Sequence, residues 1–156
     1  MIPGCGLDTN ILIFLVNRAA VEHEVAERSV ELLAQTGQRA LLAQQVLFEF
    51  WVAATRPPEV NGLGWSAVQA GAAIHSLRQR FLVLAEPEDV LDKWLNMVVR
   101  YQLKGKRIHD AHLLATLQAH GVGLLLTANP TDFPSVPDIA IVTPQSLLAG
   151  HVAPPF

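Results

Sequence analysis

Apolar and polar positions alternate along the chain in blocks that read as strands and helices in turn. Residues 4–7 form a short apolar strand, weakened by Gly4 and Gly6 and by Pro3 just before it. Thr9 or Asn10 is placed to cap a helix running through Ile11–Val16. Val21, Val25, Val30 and Leu33 recur at helical spacing within Val21–Gln35, and Gly37 ends that helix. Ala40–Ala43 is a short buried strand leading into Gln44–Thr55, a strongly apolar helix stopped by Arg56-Pro57-Pro58. Residues 56–64 carry the strongest loop signal in the chain. A helix over Trp65–Gln79, a strand over Phe81–Ala85 and a helix over Glu86–Tyr101 follow, the last opened by Pro87 and acidic residues. Gln102–Arg107 is a basic loop before a helix at His109–His120, closed by Gly121. Gly123–Thr127 is an apolar strand, Ala128–Pro137 a turn, Ile139–Val142 a last strand, and 144–149 a final short helix. Strands spaced by helices predict βαβ units, hence an α/β domain with a parallel sheet of four or five strands. In such sheets, sites lie beyond the carboxyl ends of the strands.

Composition narrows the classes. A chain of 156 residues is the usual content of one domain. Hydrophobic residues make up 51%, charged residues 16%, and mean hydropathy is +0.30, which excludes global disorder. A large core, a second buried surface, or both must absorb the apolar excess. A membrane span, which needs about 20 apolar residues in a row, does not: the longest candidates are Ile11–Val16 and Val46–Ala54, the second broken by Glu49. The first ten residues have no base before the apolar run and meet Asp8 early, so they do not read as a secretory signal. Cys5 is the only cysteine, which excludes an intrachain disulfide and a cysteine-based zinc site and fits a cytoplasmic protein.

Four carboxylates sit where a core-building sequence would not put them. Asp8 ends the first strand; Glu49 interrupts the otherwise apolar VLFEFWVAA; Asp110 opens a helix and shares a side with Leu114; Asp132 lies in the turn after LLLT. Each alone suits a cap, a turn or an exposed helix edge. Glu49 is the hardest to read that way, because a lone carboxylate on an apolar helix is costly unless paired or bound to a cation. Two of the four follow predicted parallel strands and two sit on helices able to face the same edge. Carboxylates converging there need cations to coexist, and an all-oxygen acidic site suits Mg²⁺ or Mn²⁺.

These motifs resemble those of PIN-domain ribonucleases, and most closely of the VapC-type toxins of type II toxin–antitoxin pairs. The matching segments are LDTNILI at 7–13, QQVLFEFW at 44–51, KGKRIHDAHLLATLQAHGVGLLLT at 104–127 and TANPTDF at 127–133. The resemblance implies one PIN-like domain over 1–150 with a tail at 151–156, and a parallel sheet sandwiched between helices. It implies a Mg²⁺- or Mn²⁺-dependent endoribonuclease that leaves 5′-phosphate and 3′-hydroxyl ends. Asp8 and Asp110 would be the principal metal ligands, completed by Glu49 and Asp132, with Thr9, Asn10, Thr127 and Asn129 orienting them. Hydrolysis would run by in-line attack of a water, assisted by divalent ions at the nucleophile and the leaving oxygen. A cognate antitoxin and a homodimer would use the surplus apolar surface of the helices at 11–16 and 44–54.

Net charge is -3, which disfavours nucleic acid at face value. Setting the four site carboxylates aside leaves ten acids against eleven bases, and Arg100, Lys104, Lys106 and Arg107 cluster just before Asp110 as a candidate RNA phosphate guide. His109 and His112, three apart, have a spacing open to a transition metal. A phosphoaspartate phosphatase wants an acid where Asn10 stands, and a receiver domain wants a late lysine, whereas the last is Lys106. The alternative from another class is a PIN fold kept as a non-catalytic RNA-binding or regulatory module.

Overall fold

The computed structural model describes residues 3–150; the tail expected at 151–156 lies outside them. The chain runs β1 (Gly4–Leu7), α1 (Thr9–Val16), α2 (His23–Gln35), β2 (Arg39–Ala43), α3 (Gln44–Thr55), α4 (Ala67–Arg80), β3 (Leu82–Leu84), α5 (Val90–Arg100), α6 (Arg107–Ala119), β4 (Leu124–Leu126), β5 (Ala140–Val142) and α7 (Pro144–Leu148). The five strands form one all-parallel sheet in the order β3-β2-β1-β4-β5. The α/β class is therefore as expected. Helix α1 packs on both α2 and α3, α3 on α4, and α7 on α2, whereas α5 and α6 pack on each other and α6 on β2. Right-handed crossovers put these two sets on opposite faces of the sheet. From β1 the chain builds outward to β2 and β3, then returns to start again at β4, so β1 and β4 flank the point where strand order reverses. A crevice opens there, outside the strands' carboxyl ends.

The central strand explains its own poor composition. A Cβ on Gly4 would stand 2.8 Å from the Arg39 carbonyl oxygen of β2, and one on Gly6 would stand 2.8 Å from the Leu117 methyls of α6. Neighbouring backbone and the covering helix close on β1 so tightly that side chains have no room. Cys5 and Leu7, on the same strand, are fully buried. The core continues through Leu41, Leu42, Val46, Phe50, Leu114, Leu117, Leu125 and Leu126.

The helices start where local chemistry allows. Asp8, rather than Thr9 or Asn10, caps α1: its carboxylate accepts from the Thr9 backbone N–H at 2.7 Å. Ser66 and Gln69 form a reciprocal capping box at the start of α4. Helix α5 begins at Val90, four residues later than the acidic run suggests: Pro87 pushes Glu86 out of the helical region, and a turn closed by the Val90 N–H on the Pro87 carbonyl precedes the helix. Helix α6 begins two residues early, at Arg107. The 56–64 segment is a compact clasp and not a slack loop. A short 3-10 turn at Pro58–Val60 folds back so that the N–H groups of Leu63, Gly64 and Trp65 donate to the carbonyls of Ala53, Arg56 and Ala54 at the end of α3. Gly62 lies directly on the Arg56 backbone, where a Cβ would collide. No helix among the described residues is long and apolar enough to cross a membrane.

The packing of β1 predicts that Gly4→Ala lowers stability by about 1–3 kcal/mol, read as a lower urea midpoint with an unchanged slope. An unchanged midpoint would show that the strand has slack.

Candidate active site

The crevice at the strand reversal collects the sequence's unusual carboxylates. Asp8 stands at the carboxyl end of β1, and its N–H continues the sheet by donating to Leu126 of β4 at 3.0 Å. Glu49 lies in the second turn of α3, directly after β2, and Asp110 in the first turn of α6. Asp132 closes a 3-10 turn, Pro130–Asp132, in the loop after β4. The fields of all four overlap: Asp8 feels Glu49 and Asp132, and Asp110 feels Asp8, Asp132 and Glu49. Residues separated by up to 124 positions in sequence thus meet at one sheet edge.

Neutral donors hold the group together. One Asp8 oxygen accepts from the Thr9 N–H, and the other from the Thr127 hydroxyl at 2.7 Å and the Asn10 amide at 3.3 Å. Asn10 also donates to Thr127 and accepts from the Ala128 N–H, which locks the loop after β4 onto α1. Both Glu49 oxygens are taken, one by the Thr9 hydroxyl at 2.8 Å and one by Gln45 Nε2 at 2.7 Å. Thr9, Asn10 and Thr127 therefore touch the carboxylates as their positions suggested. Asn129 instead acts through its backbone on their neighbours: its N–H donates to the Thr127 hydroxyl, and its carbonyl accepts from the Asp132 N–H.

Gln45 is the contact that the sequence analysis missed. It is buried, and the same amide nitrogen that grips Glu49 donates to the His109 carbonyl, also at 2.7 Å, tying α3 to α6 beside Asp110. Its amide oxygen is buried without a partner. One signal was available: Gln45 is the only polar side chain one turn before Glu49 on that helix.

Electrostatics sets the limits of the site. Burial pushes the Asp8 carboxyl above the usual range; Thr127 and the Thr9 N–H draw it down, and Glu49 and Asp132 push it up further. Asp110 is pushed up to about 6, by burial first and then by Asp8, Asp132 and Glu49, with only Arg107 opposing. None of the ion pairs among the described residues involves these four acids. Nor do any three His, Cys, Asp or Glu side chains among the described residues already surround one ion position. The donor chemistry nonetheless fits a hard divalent cation: oxygen only, several negative charges, and no basic partner.

The bases and histidines divide. Arg107 opens α6, one turn before Asp110, and is the cation that acts on it. Lys104 and Lys106 are exposed on the turn leading into that helix. Arg100 instead lines a groove with Asn96, Gln118 and Asp138. Gln118 is near the end of α6 and Asp138 precedes β5, so that groove faces the strands' amino ends. His112 pairs with Glu86 at 2.7 Å, and His109 is exposed; neither joins a third metal-ligating group.

The raised acid gives a stability prediction. Unfolded, Asp110 titrates near 3.8; folded, near 6. Between these values the folded state holds the extra proton, so stability falls as pH rises through that window and stays reduced above it. Asp110→Asn, free of divalent ions, should melt a few degrees higher than the parent chain at neutral pH, with the gap closing below the unfolded value. Equal melting temperatures at every pH would contradict the crowding of charge described here.

Comparison with known proteins agrees with this architecture. The PIN domain family profile matches residues 6–139. Ribonuclease VapC24 of Mycobacterium tuberculosis is 29% identical over 129 residues, covering 81% of this chain and 87% of the relative. The structure of VapBC2 from Rickettsia felis bound to a promoter DNA fragment aligns with a TM-score of 0.68 at 16% identity, covering 92% of this chain and 98% of that one. Mycobacterium tuberculosis VapC20, described as a sarcin-ricin loop cleaving toxin, aligns with a TM-score of 0.59 at 21% identity, covering 78% and 87%. The match extends over most of the sheet and over all four carboxylate-bearing segments at its reversal point: this chain belongs to the PIN-domain family.

Proposed function

We propose that this protein is a Mg²⁺- or Mn²⁺-dependent endoribonuclease and the toxin of a cytoplasmic toxin–antitoxin pair. One observation carries the reading: Asp8, Glu49, Asp110 and Asp132 converge at the strand reversal with neutral donors around them and, among the described residues, no ion-paired base. Family membership supports it, as does a relative that is a ribonuclease.

Asp8 and Asp110 are the principal ligands, with Glu49 and Asp132 completing the set. When bound, divalent ions supply Lewis acidity at phosphoryl oxygen and lower the pKa of an attacking water. The chain's own residues prepare for this. Thr127 and the Thr9 N–H favour the ionised form of Asp8; the Thr9 hydroxyl and Gln45 fix both oxygens of Glu49. Lys104, Lys106 and Arg107 form the phosphate guide on the approach to Asp110, whereas Arg100, on the other flank, adds only to the long-range field.

Partners follow from surface left uncovered. Phe48 and Val52 of α3 are 69% and 53% exposed, and Leu95 and Val99 are exposed further along α5. A homodimer accounts for such faces. A groove among α1, α2 and α4, lined by Leu15, Trp65, Ala73 and Leu77 with Arg18 and Glu27 nearby, suits an amphipathic antitoxin segment.

Purified protein should cleave a mixed RNA pool only with Mg²⁺ or Mn²⁺, and Asp8→Asn should reduce the rate on the order of a hundredfold or more. No cleavage by the antitoxin-free parent chain would favour the non-catalytic module. Expression should arrest growth, with relief by a small protein from the neighbouring reading frame; growth unaffected by an active nuclease would point to a housekeeping enzyme.

A further inference from the structure

We propose that the cleft between α5 and the first turns of α6 is a slot for one unpaired nucleobase of the RNA, next to the scissile phosphate. This rests on the ribonuclease reading and adds the element that selects sequence. Val90, Leu91 and Trp94 of α5 face Ile108, His109 and His112 of α6 across a cavity of about 270 Å³. Pockets for drug-sized ligands run from about 300 to 1,000 Å³, so this one suits a single flat ring system. Its lining is what stacking requires: one indole, two imidazoles and aliphatic walls.

Those walls are held before anything enters. Trp94 Nε1 donates to the Ile108 carbonyl at 2.9 Å, Glu86 holds the His112 ring at 2.7 Å, and Gln45 grips the His109 carbonyl. The Trp94 and His112 rings, already immobilised, stack a base at little further entropic cost. Position and charge name the occupant. His109 directly precedes Asp110, and the Gln45 nitrogen that holds its carbonyl also holds Glu49. Lys104, Lys106 and Arg107 stand immediately before it in sequence. A polyanion drawn by those cations toward the carboxylates passes the mouth of the slot, and single-stranded RNA is the polyanion that offers splayed bases.

The test separates the slot from the chemistry. Full-length Asp8→Asn protein in Mg²⁺ buffer is titrated with a single-stranded oligoribonucleotide of mixed sequence. The imidazole signals of His109 and His112 and the indole N–H signal of Trp94 are followed by NMR. All three should show ring-current shifts, and His109→Ala or Leu91→Glu in the same background should weaken binding about tenfold, the loss of one base–aromatic stack. Both positions are exposed, so the variants keep the fold. In the Asp8-containing enzyme the same changes should flatten base preference beside the cut. Unmoved signals together with unchanged affinity overturn the slot and leave the ribonuclease reading to its own cleavage assay. Shifted signals and weakened variants uphold the slot even if the parent chain cleaves nothing.

Discussion

The constraint on which the rest depends is repulsion among carboxylates that the backbone forces into one crevice. Strand order alone creates the meeting place: β1 and β4 are adjacent, but the chain leaves them in opposite directions. Asp8 and the loop bearing Asp132 emerge on the same edge, and the helices carrying Glu49 and Asp110 arrive from the two faces. An ion pair would be the ordinary way to relieve such crowding, and none of those among the described residues involves these acids. Instead the fold supplies hydroxyls and amides, which orient and partly stabilise charge without cancelling it. Charge left uncancelled is what a cation site requires.

That arrangement sets demands on distant parts of the chain. For α6 to bring Asp110 to the edge it must lie close on β1, and Gly6 makes the room under Leu117. For α3 to present Glu49 sideways it must bury Val46, Phe50 and Ala54, and the clasp at 56–64 finishes that helix by satisfying its last carbonyls. Gln45 couples the two helices with a single nitrogen. Local departures from good strand or helix composition therefore mark places where close approach matters more than propensity.

Much of this was legible in the sequence. The alternation of apolar blocks is strong because strands buried on both faces need nearly continuous apolar runs, so β1 and α3 fall on their expected bounds. Glu49 stood out because its neighbours are apolar, Asp8 and Asp132 because they follow apolar strands, and Asp110 because it shares a side with Leu114. Other features depend on contacts that sequence distance hides. Gln45 carries no charge and looks like any helix amide until Glu49 and the His109 carbonyl are seen on either side. Gly62 reads as loop filler, yet its role is a backbone contact with Arg56. Arg100 lies near Asp110 in number, but a helix end and a turn intervene and direct it toward Asp138. Glu86 belongs outside α5 because the following proline outweighs its helical neighbours.

The central claim, that these acids form one divalent-cation site, is tested most directly by crystals soaked in Mn²⁺ with anomalous diffraction recorded at the manganese edge. The account predicts a peak at the end of β1, contacted by both Asp8 and Asp110 and lost in Asp8→Asn crystals. A peak elsewhere, or none at saturating Mn²⁺ with the four side chains left apart, would contradict it.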